Sequence, residues 1–172
     1  MKRILVTGVS GVGKSTVIAR LADLGHRAVD LDSPEWSEWV DSSDGSGPTP
    51  AQPGKDWVWR EDRVSELLSD DGEGVLFVSG CASNLGVFRD RFTDVVLLSV
   101  PAEVMVDRLA HRVTNDYGKD PEELARSLDF KKTVEPLLRS TADYELDGSA
   151  PLDHVVAAVI RLAGAPASDS GR

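Results

Sequence analysis

The stretch Gly8-Val9-Ser10-Gly11-Val12-Gly13-Lys14-Ser15 fits the pattern G-x-x-x-x-G-K-[ST] at every fixed position. In loops of this pattern, the glycines bring backbone N–H groups onto phosphate oxygens, the lysine reaches the outer phosphates, and the hydroxyl binds Mg²⁺. The alternative without a functional role is a glycine-rich turn that contains a surface lysine. The pattern predicts a phosphate-binding loop if a strand precedes it and a helix follows it.

The residues that flank this loop meet that requirement. Residues 3–7 form a short, mostly apolar run typical of a buried strand. Beyond the loop, four apolar residues share one helical face: Val17, Ile18, Leu21 and Leu24. The helix N-terminus then directs its dipole and its free N–H groups at the bound anion. The residues that we expect to hold a nucleotide are Gly11, Val12, Gly13, Lys14, Ser15 and Thr16.

The size and charge of the chain restrict its class. Its 172 residues suit one domain over 1–164 with a flexible tail over 165–172. The formal net charge of −10 argues against a nucleic-acid or membrane-surface binder, since both rely on basic surface. One cysteine excludes a disulfide framework, and no apolar run approaches the roughly 20 residues that span a bilayer. We expect a cytoplasmic monomer or small homo-oligomer.

Two acidic residues lie at the end of the strand predicted over 26–30. Asp30 and Asp32 are two positions apart, which places both carboxylates on one side of an extended segment, where open α/β sheets bind ligands. One would serve Mg²⁺ and the other a substrate hydroxyl; the alternative is a pair of solvated turn acids. Because the strands predicted at 75–78 and 95–99 do not end in aspartate, Asp30 and Asp32 are the acids best placed for the metal.

An insert rich in tryptophan follows, over about 33–60. Ser-Pro-Glu at 33–35, followed by tryptophans on one face, predicts a short helix. Glycines and prolines predict a loop over 41–54, and a helical pattern runs over 57–69. The tryptophans either pack in the core or wall a pocket for a ring or sugar: Trp36, Trp39, Trp57 and Trp59.

Small residues follow the strand predicted at 75–78. Gly80 would let a ligand approach the backbone closely, so we count it among the substrate-binding candidates. Cys81 has no activating base nearby in the sequence and is predicted to be a small buried residue, not a nucleophile.

A helix, an exposed flap over 113–120 and a second helix from Pro121 predict a small lid over about 112–135. Arg108 and Arg112 lie four positions apart on the first helix. Once a lid closes and excludes water, such arginines can neutralise a phosphoryl group in transfer. The alternative is that they are ordinary exposed arginines.

As far as Leu162, the chain resembles the compact P-loop kinases of the shikimate, gluconate and adenylate kinase group. The resemblance implies a three-layer α/β P-loop NTPase fold, with a five-stranded parallel sheet and a small helical lid. This agrees with the alternation of strands and helices along the sequence. Asp30-Leu31-Asp32 is similar to the Asp-x-Asp element of shikimate kinases, which implies that Asp30 serves Mg²⁺ and that Asp32 contacts the accepting hydroxyl.

The resemblance also suggests roles on the nucleotide side. The segment 106–112 resembles the one that leads into the adenylate kinase lid, which implies that Arg108 stacks on adenine and that Arg112 touches phosphate. The segment 147–151 looks like the adenine-side loop of shikimate kinases, so Pro151 is assigned to the nucleotide.

On the acceptor side, Arg60 and Arg139 occupy positions like those of the arginines that bind the acceptor carboxylate. Two features depart from shikimate kinases. Ser79-Gly80-Cys81 stands where that family has successive glycines, and the tryptophan-rich insert is not typical of it. Both features argue against shikimate itself as the acceptor.

Together these features predict an ATP- and Mg²⁺-dependent transfer of the γ-phosphoryl group to a hydroxyl of a small molecule. Lys14 would hold the phosphates, Ser15 and Asp30 the metal, Asp32 would orient or deprotonate the acceptor, and Arg112 would offset developing charge. An uncharged polyol, sugar or nucleoside suits the insert, whereas the two acceptor-side arginines favour an anion. A nucleoside monophosphate kinase, a non-catalytic ATP-binding regulatory module and a kinase acting on antibiotics remain as alternatives.

Overall fold

A central five-stranded parallel sheet organises the chain. The computed structural model describes residues 1–42, 54–113 and 116–164. The strands are β1 (Lys2–Thr7), β2 (Arg27–Asp30), β3 (Ser37–Asp41), β4 (Lys55–Trp59), β5 (Val75–Ser79), β6 (Asp94–Ser99) and β7 (Tyr144–Asp147). The helices are α1 (Lys14–Asp23), α2 (Glu61–Ser69), α3 (Leu85–Phe88), α4 (Ala102–His111), α5 (Pro121–Thr133), α6 (Glu135–Thr141) and α7 (Leu152–Ala163), with a 3₁₀ turn at Arg89–Arg91.

The order of strands in this sheet is β2-β5-β1-β6-β7, and all of its strands are parallel. The apolar runs predicted as strands are buried because helices cover both faces of the sheet. Along β1, Ile4 and Val6 pack with α1, α4 and α7 on one face, and Leu5 packs with α2, α3 and α6 on the other. The predicted three-layer α/β fold with a five-stranded parallel sheet is therefore confirmed.

The helix predicted between residues 33 and 40 is wrong, because part of that segment forms strand β3. Strand β3 pairs antiparallel with β4, and Trp39 lies opposite Trp57 in the register. Their rings pack against each other at a centroid distance of 4.9 Å with their planes inclined by 58°, a cross-strand aromatic contact that favours the hairpin over an isolated short helix. The helix predicted from Trp57 begins only at Glu61, because Trp57 and Trp59 belong to β4.

Helices α4 and α5 lie where the lid segment predicts helices, whereas the short helix α3 was not predicted. Helix α5 ends at Thr133 and α6 begins at Glu135, because Pro136 cannot continue a helix and is tolerated only in its first turn. Most of the loop predicted over 41–54, residues 114 and 115 of the predicted flap and the predicted tail lie outside the described residues. Within the described ranges, no helix is both long and apolar enough to cross a membrane.

Candidate active site

The carboxyl ends of the parallel strands border a cavity of about 1350 Å³. The phosphate-binding loop and Asp30 form its floor. Arg108 and Arg112, at the end of α4, and the segment after β7 lie on one side. The β3–β4 hairpin and the loop after β5 lie on the other side. Open α/β sheets bind their ligands at this edge, so the predicted nucleotide and acceptor regions meet in one cavity.

The phosphate-binding loop enters helix α1 through Gly13, which has a left-handed backbone with φ of 102°. Glycine adopts this conformation without steric cost, and it turns the first N–H groups of α1 towards the cavity. The Lys14 ammonium donates to the carbonyl oxygens of Gly8 at 2.7 Å and Val9 at 3.2 Å. Lys14 is thereby held inside the loop, and every residue from Gly11 to Thr16 borders the cavity.

Ser15 and Asp30, the predicted metal ligands, are in direct contact. The Ser15 hydroxyl donates to Asp30 Oδ2 at 2.7 Å, while Asp30 Oδ1 accepts from Ser79 Oγ and from the Asp32 N–H, both at 3.1 Å. No group of three or more acidic, histidine or cysteine side chains that could hold a metal occurs in the described part of the chain. One carboxylate and one hydroxyl nevertheless fit Mg²⁺ in a phosphotransferase, because substrate phosphates and water complete its oxygen shell.

Asp32 lies beside the lysine of the loop, with its Oδ2 4.0 Å from Lys14 Nζ. Both carboxylate oxygens accept from the Cys81 N–H, at 3.0 and 3.1 Å, and Oδ1 lies 3.4 Å from the indole nitrogen of Trp59. Burial raises the pKa of Asp32 above its ordinary value, and the nearby Lys14 ammonium opposes that shift. A fixed carboxylate with a raised pKa is suited to accept a proton from a substrate hydroxyl.

Trp59 fixes the position of the hairpin and of Asp32, a role that the sequence analysis missed. Its side chain is fully buried, and its backbone N–H and C=O both bond to the Asn84 side chain at 3.0 Å. Gly80 lies directly beneath the ring, where an added Cβ would come within 2.8 Å of the indole and 2.9 Å of Asp32 Oδ1. Gly80 thus allows the tryptophan to approach, and it does not itself line the cavity. The sequence contains both Trp59 and Gly80 but gives no sign that they are in contact, because only the fold brings them together.

Cys81 borders the cavity next to Asp32, and burial raises the pKa of its thiol to about 11. The thiol is therefore protonated at neutral pH. Cys81 is only partly buried and borders the cavity, so the prediction of a fully buried residue is wrong; that it is not a nucleophile stays a prediction.

Arg108 and Arg112 both border the cavity. Arg108 lies in the last turn of α4, and Arg112 is the C-terminal capping residue of that helix. Arg108 donates to the carbonyl oxygens of Val12 at 3.0 Å and Gly148 at 2.8 Å, so it connects the phosphate-binding loop to the segment after β7. Arg112 donates to the Tyr117 carbonyl, and burial lowers the pKa of its guanidinium. Pro151 caps helix α7 and is not among the residues that border the cavity, although its neighbour Ala150 is.

The two predicted acceptor arginines do not reach the cavity. Arg60 pairs with Glu38 at 2.9 Å, and Arg139 pairs with Glu135 and Glu145, also at 2.9 Å. The carboxylates of Glu145 and Glu135 both raise the pKa of Arg139. The structure therefore brings together the predicted loop, metal and base residues but separates Arg60 and Arg139 from them.

Residues 4–129 match the family model described as an AAA domain. The chain belongs to the AAA domain family. The match covers most of β1, the phosphate-binding loop and both predicted acidic residues. No curated protein matches the sequence.

Several solved structures share the fold of this AAA domain. The shikimate kinase of Acinetobacter baumannii, in complex with shikimate, superposes with a TM-score of 0.62 at 20% identity, over 94% of this chain and 92% of that chain. A shikimate kinase of Bacteroides thetaiotaomicron gives 0.58 at 18% identity, over 94% and 97%. An unliganded sugar kinase of a Janibacter species gives 0.54 at 21% identity, over 94% and 93%. These likenesses confirm the fold predicted from the resemblance to P-loop small-molecule kinases.

Proposed function

We propose that the protein transfers the γ-phosphoryl group of ATP to a hydroxyl of a small, non-anionic molecule. The observation that carries this proposal is the cluster of Lys14, Asp30 and Asp32, where the end of β2 meets the start of α1. It combines a phosphate-binding ammonium, an oxygen ligand for a metal and a separate carboxylate for the acceptor. Phosphoryl transfer depends on positioning and charge stabilisation more than on covalent chemistry, and this cluster supports both.

In this reaction, the acceptor oxygen bonds to the γ-phosphorus as the bond to the β–γ bridging oxygen breaks, and ADP leaves. Asp32 takes the proton of the acceptor hydroxyl. Lys14 and the loop N–H groups stabilise the phosphate charge, and Arg112 adds a second cation from the lid side. When bound at Ser15 and Asp30, Mg²⁺ supplies further neutralisation of that charge.

A nucleoside monophosphate kinase is less well supported, because its acceptor phosphate needs several free cations. The arginines nearest the acceptor side are engaged elsewhere. Arg60 and Arg139 are ion-paired, and Arg63 donates to the Glu35 carbonyl and lies over the Trp36 ring. These contacts favour an alcohol acceptor without a phosphate.

A regulatory module would bind ATP without turnover, and one assay separates it from a kinase. ADP production from ATP and Mg²⁺ is measured with a panel of hydroxylated metabolites, nucleosides and nucleoside monophosphates, against a control without acceptor. An acceptor that raises the rate at least about tenfold supports the kinase and names its substrate class. ATP binding without stimulation by any acceptor would favour the regulatory module.

Replacing Arg60 or Arg139 with glutamine is expected to change the KM for the acceptor by less than about twofold, because neither side chain reaches the cavity. The exposed Arg60–Glu38 pair should contribute no more than about 1 kcal/mol to the free energy of unfolding. Arg139 also pairs with the buried Glu135, which keeps Lys131 as a partner in the glutamine variant. Steady-state kinetics with the acceptor identified above checks this expectation. A tenfold rise in KM for either variant would return that arginine to the acceptor site.

Replacing Arg108 with alanine is expected to raise the KM for ATP about tenfold, since two charge-assisted hydrogen bonds to loop carbonyls are lost. Arg108→Lys should show nearly the same defect, because one ammonium cannot span the carbonyls of Val12 and Gly148. Arg161→Ala, on the exposed side of α7, is the matched control. An unchanged KM for ATP in Arg108→Ala would contradict the assignment of Arg108 to the nucleotide side.

A further inference from the structure

We propose that the acceptor carries a protonated amine in addition to its hydroxyl, and that Asp56 and the Trp39–Trp57 ring pair bind this part of the molecule. The inference rests on the proposed function and specifies its substrate class. It concerns the half of the cavity formed by the β3–β4 hairpin and the loop after β5, which is called the hairpin half below.

The charges of the described cavity residues are divided between its two halves. The cationic side chains that border it are Lys14 in the phosphate-binding loop and Arg108 and Arg112 at the end of α4. These cations all lie at the nucleotide side, which also contains the carboxylates Asp30 and Asp107. Among the described residues of the hairpin half, the charged side chains that border the cavity are the carboxylates Asp32 and Asp56. A carboxylate or phosphate on the acceptor would meet like charge there, whereas an ammonium would meet opposite charge.

Asp56 is available to bind such an ammonium. Its carboxylate accepts a hydrogen bond from the Ser83 hydroxyl, and no described lysine or arginine pairs with it. By contrast, the next acid on the same hairpin, Asp41, pairs with Lys55 at 2.7 Å. An ionised carboxylate has about four lone-pair sites, so the bond from Ser83 leaves capacity for an N⁺–H donor.

The Ser83 contacts also hold this carboxylate at the cavity wall. The Ser83 hydroxyl binds Asp56, and the Ser83 N–H donates to the carbonyl of the next residue, Trp57, at 3.4 Å. The following residue, Asn84, makes the two bonds that secure Trp59. The hairpin is thus fixed to the loop after β5, and binding an ammonium there requires little ordering of the protein.

The ring pair supplies the second part of the recognition. Trp39 and Trp57 both border the cavity, and Trp39 keeps 43% of its surface exposed although its ring packs at a tilt of 58° against that of Trp57. Indole faces attract cations and also cover the apolar face of a sugar or carbocyclic ring. Two neighbouring indoles and a carboxylate therefore suit an amino sugar, an aminocyclitol or another amino alcohol with a flat apolar face.

The test compares acceptors that differ only at one substituent. Amino sugars and aminocyclitols are each matched with an N-acetylated form and with an analogue in which a hydroxyl replaces the amine. Phosphorylation is followed by ADP release, and binding is measured separately by calorimetry in the presence of a non-hydrolysable ATP analogue. We expect the amine form to have a kcat/KM at least about tenfold above both analogues.

Asp56→Asn keeps an oxygen for the Ser83 hydroxyl but removes the charge, and it should reduce that preference to about twofold or less. Asp41→Asn on the same hairpin is the control and should keep the preference. Preferred phosphorylation of a neutral or anionic analogue, or an unchanged preference in Asp56→Asn, would overturn the inference and leave the kinase assignment intact. Amines that bind through Asp56 but are never phosphorylated would support this site while refuting the proposed function. Failure of every amine to bind or react would overturn the inference.

Discussion

Replacing Lys14 with alanine is expected to lower kcat for phosphoryl transfer by at least about a thousandfold. The ammonium is the cation of the phosphate-binding loop itself and lies next to both the loop carbonyls and Asp32, whereas Arg108 and Arg112 reach the cavity from α4. The loss acts on charge that develops in the transition state, and kcat should therefore fall more steeply than ATP affinity. Single-turnover measurements with saturating ATP and acceptor check this expectation.

The Lys14→Ala chain should remain folded. The Gly8 and Val9 carbonyls lose their donor next to the cavity, which Val9 borders, so water can replace the ammonium there. Lys55→Ala serves as the matched control, because Lys55 forms an exposed ion pair on the hairpin. Unfolding transitions of the three proteins are compared by circular dichroism. A folded Lys14→Ala protein with near-normal turnover would refute the assigned site.

The elements that the sequence predicted well are those with strong local signals. The phosphate-binding loop has a fixed spacing of glycines and lysine, and apolar runs such as 75–78 and 95–99 leave little choice except buried strands. The β3–β4 hairpin has no such signal. Its short strands alternate weakly, and what stabilises them is the pairing of Trp39 with Trp57, which are far apart in the sequence.

The same distinction applies to the candidate site. The contact between Ser15 and Asp30 could be predicted from the sequence, because the loop after one parallel strand and the end of its neighbour lie at the same edge of the sheet. Whether Arg60 or Arg139 is free depends on the partner that the fold supplies. Glu38 and Glu145 neutralise them from other elements, and an arginine looks the same in sequence whether it is paired or free. Predicting an acceptor arginine therefore requires the tertiary structure.

Replacing Asp32 with asparagine is expected to lower kcat by about a hundredfold to ten-thousandfold, the usual contribution of a positioned base. The asparagine oxygen can still accept from the Cys81 N–H, so the geometry around Trp59 should persist. In the wild type, kcat/KM should fall as the pH drops through the raised pKa of Asp32, on an acid limb above its ordinary value of 3.8. The variant should lack that limb, which a pH–rate profile of both proteins tests.

The same substitution is expected to leave stability unchanged or to increase it. Because burial raises the pKa of Asp32, the folded chain binds the proton more tightly than the unfolded chain does. The stabilisation linked to this carboxyl is therefore fully present below its unfolded pKa and is lost as the pH rises through its folded pKa. At neutral pH, asparagine removes a partly buried charge that Lys14 offsets only in part, so urea unfolding should show no loss of stability. A marked loss of stability in Asp32→Asn would mean that the carboxylate holds the fold together, and its fall in kcat could then not be assigned to proton transfer.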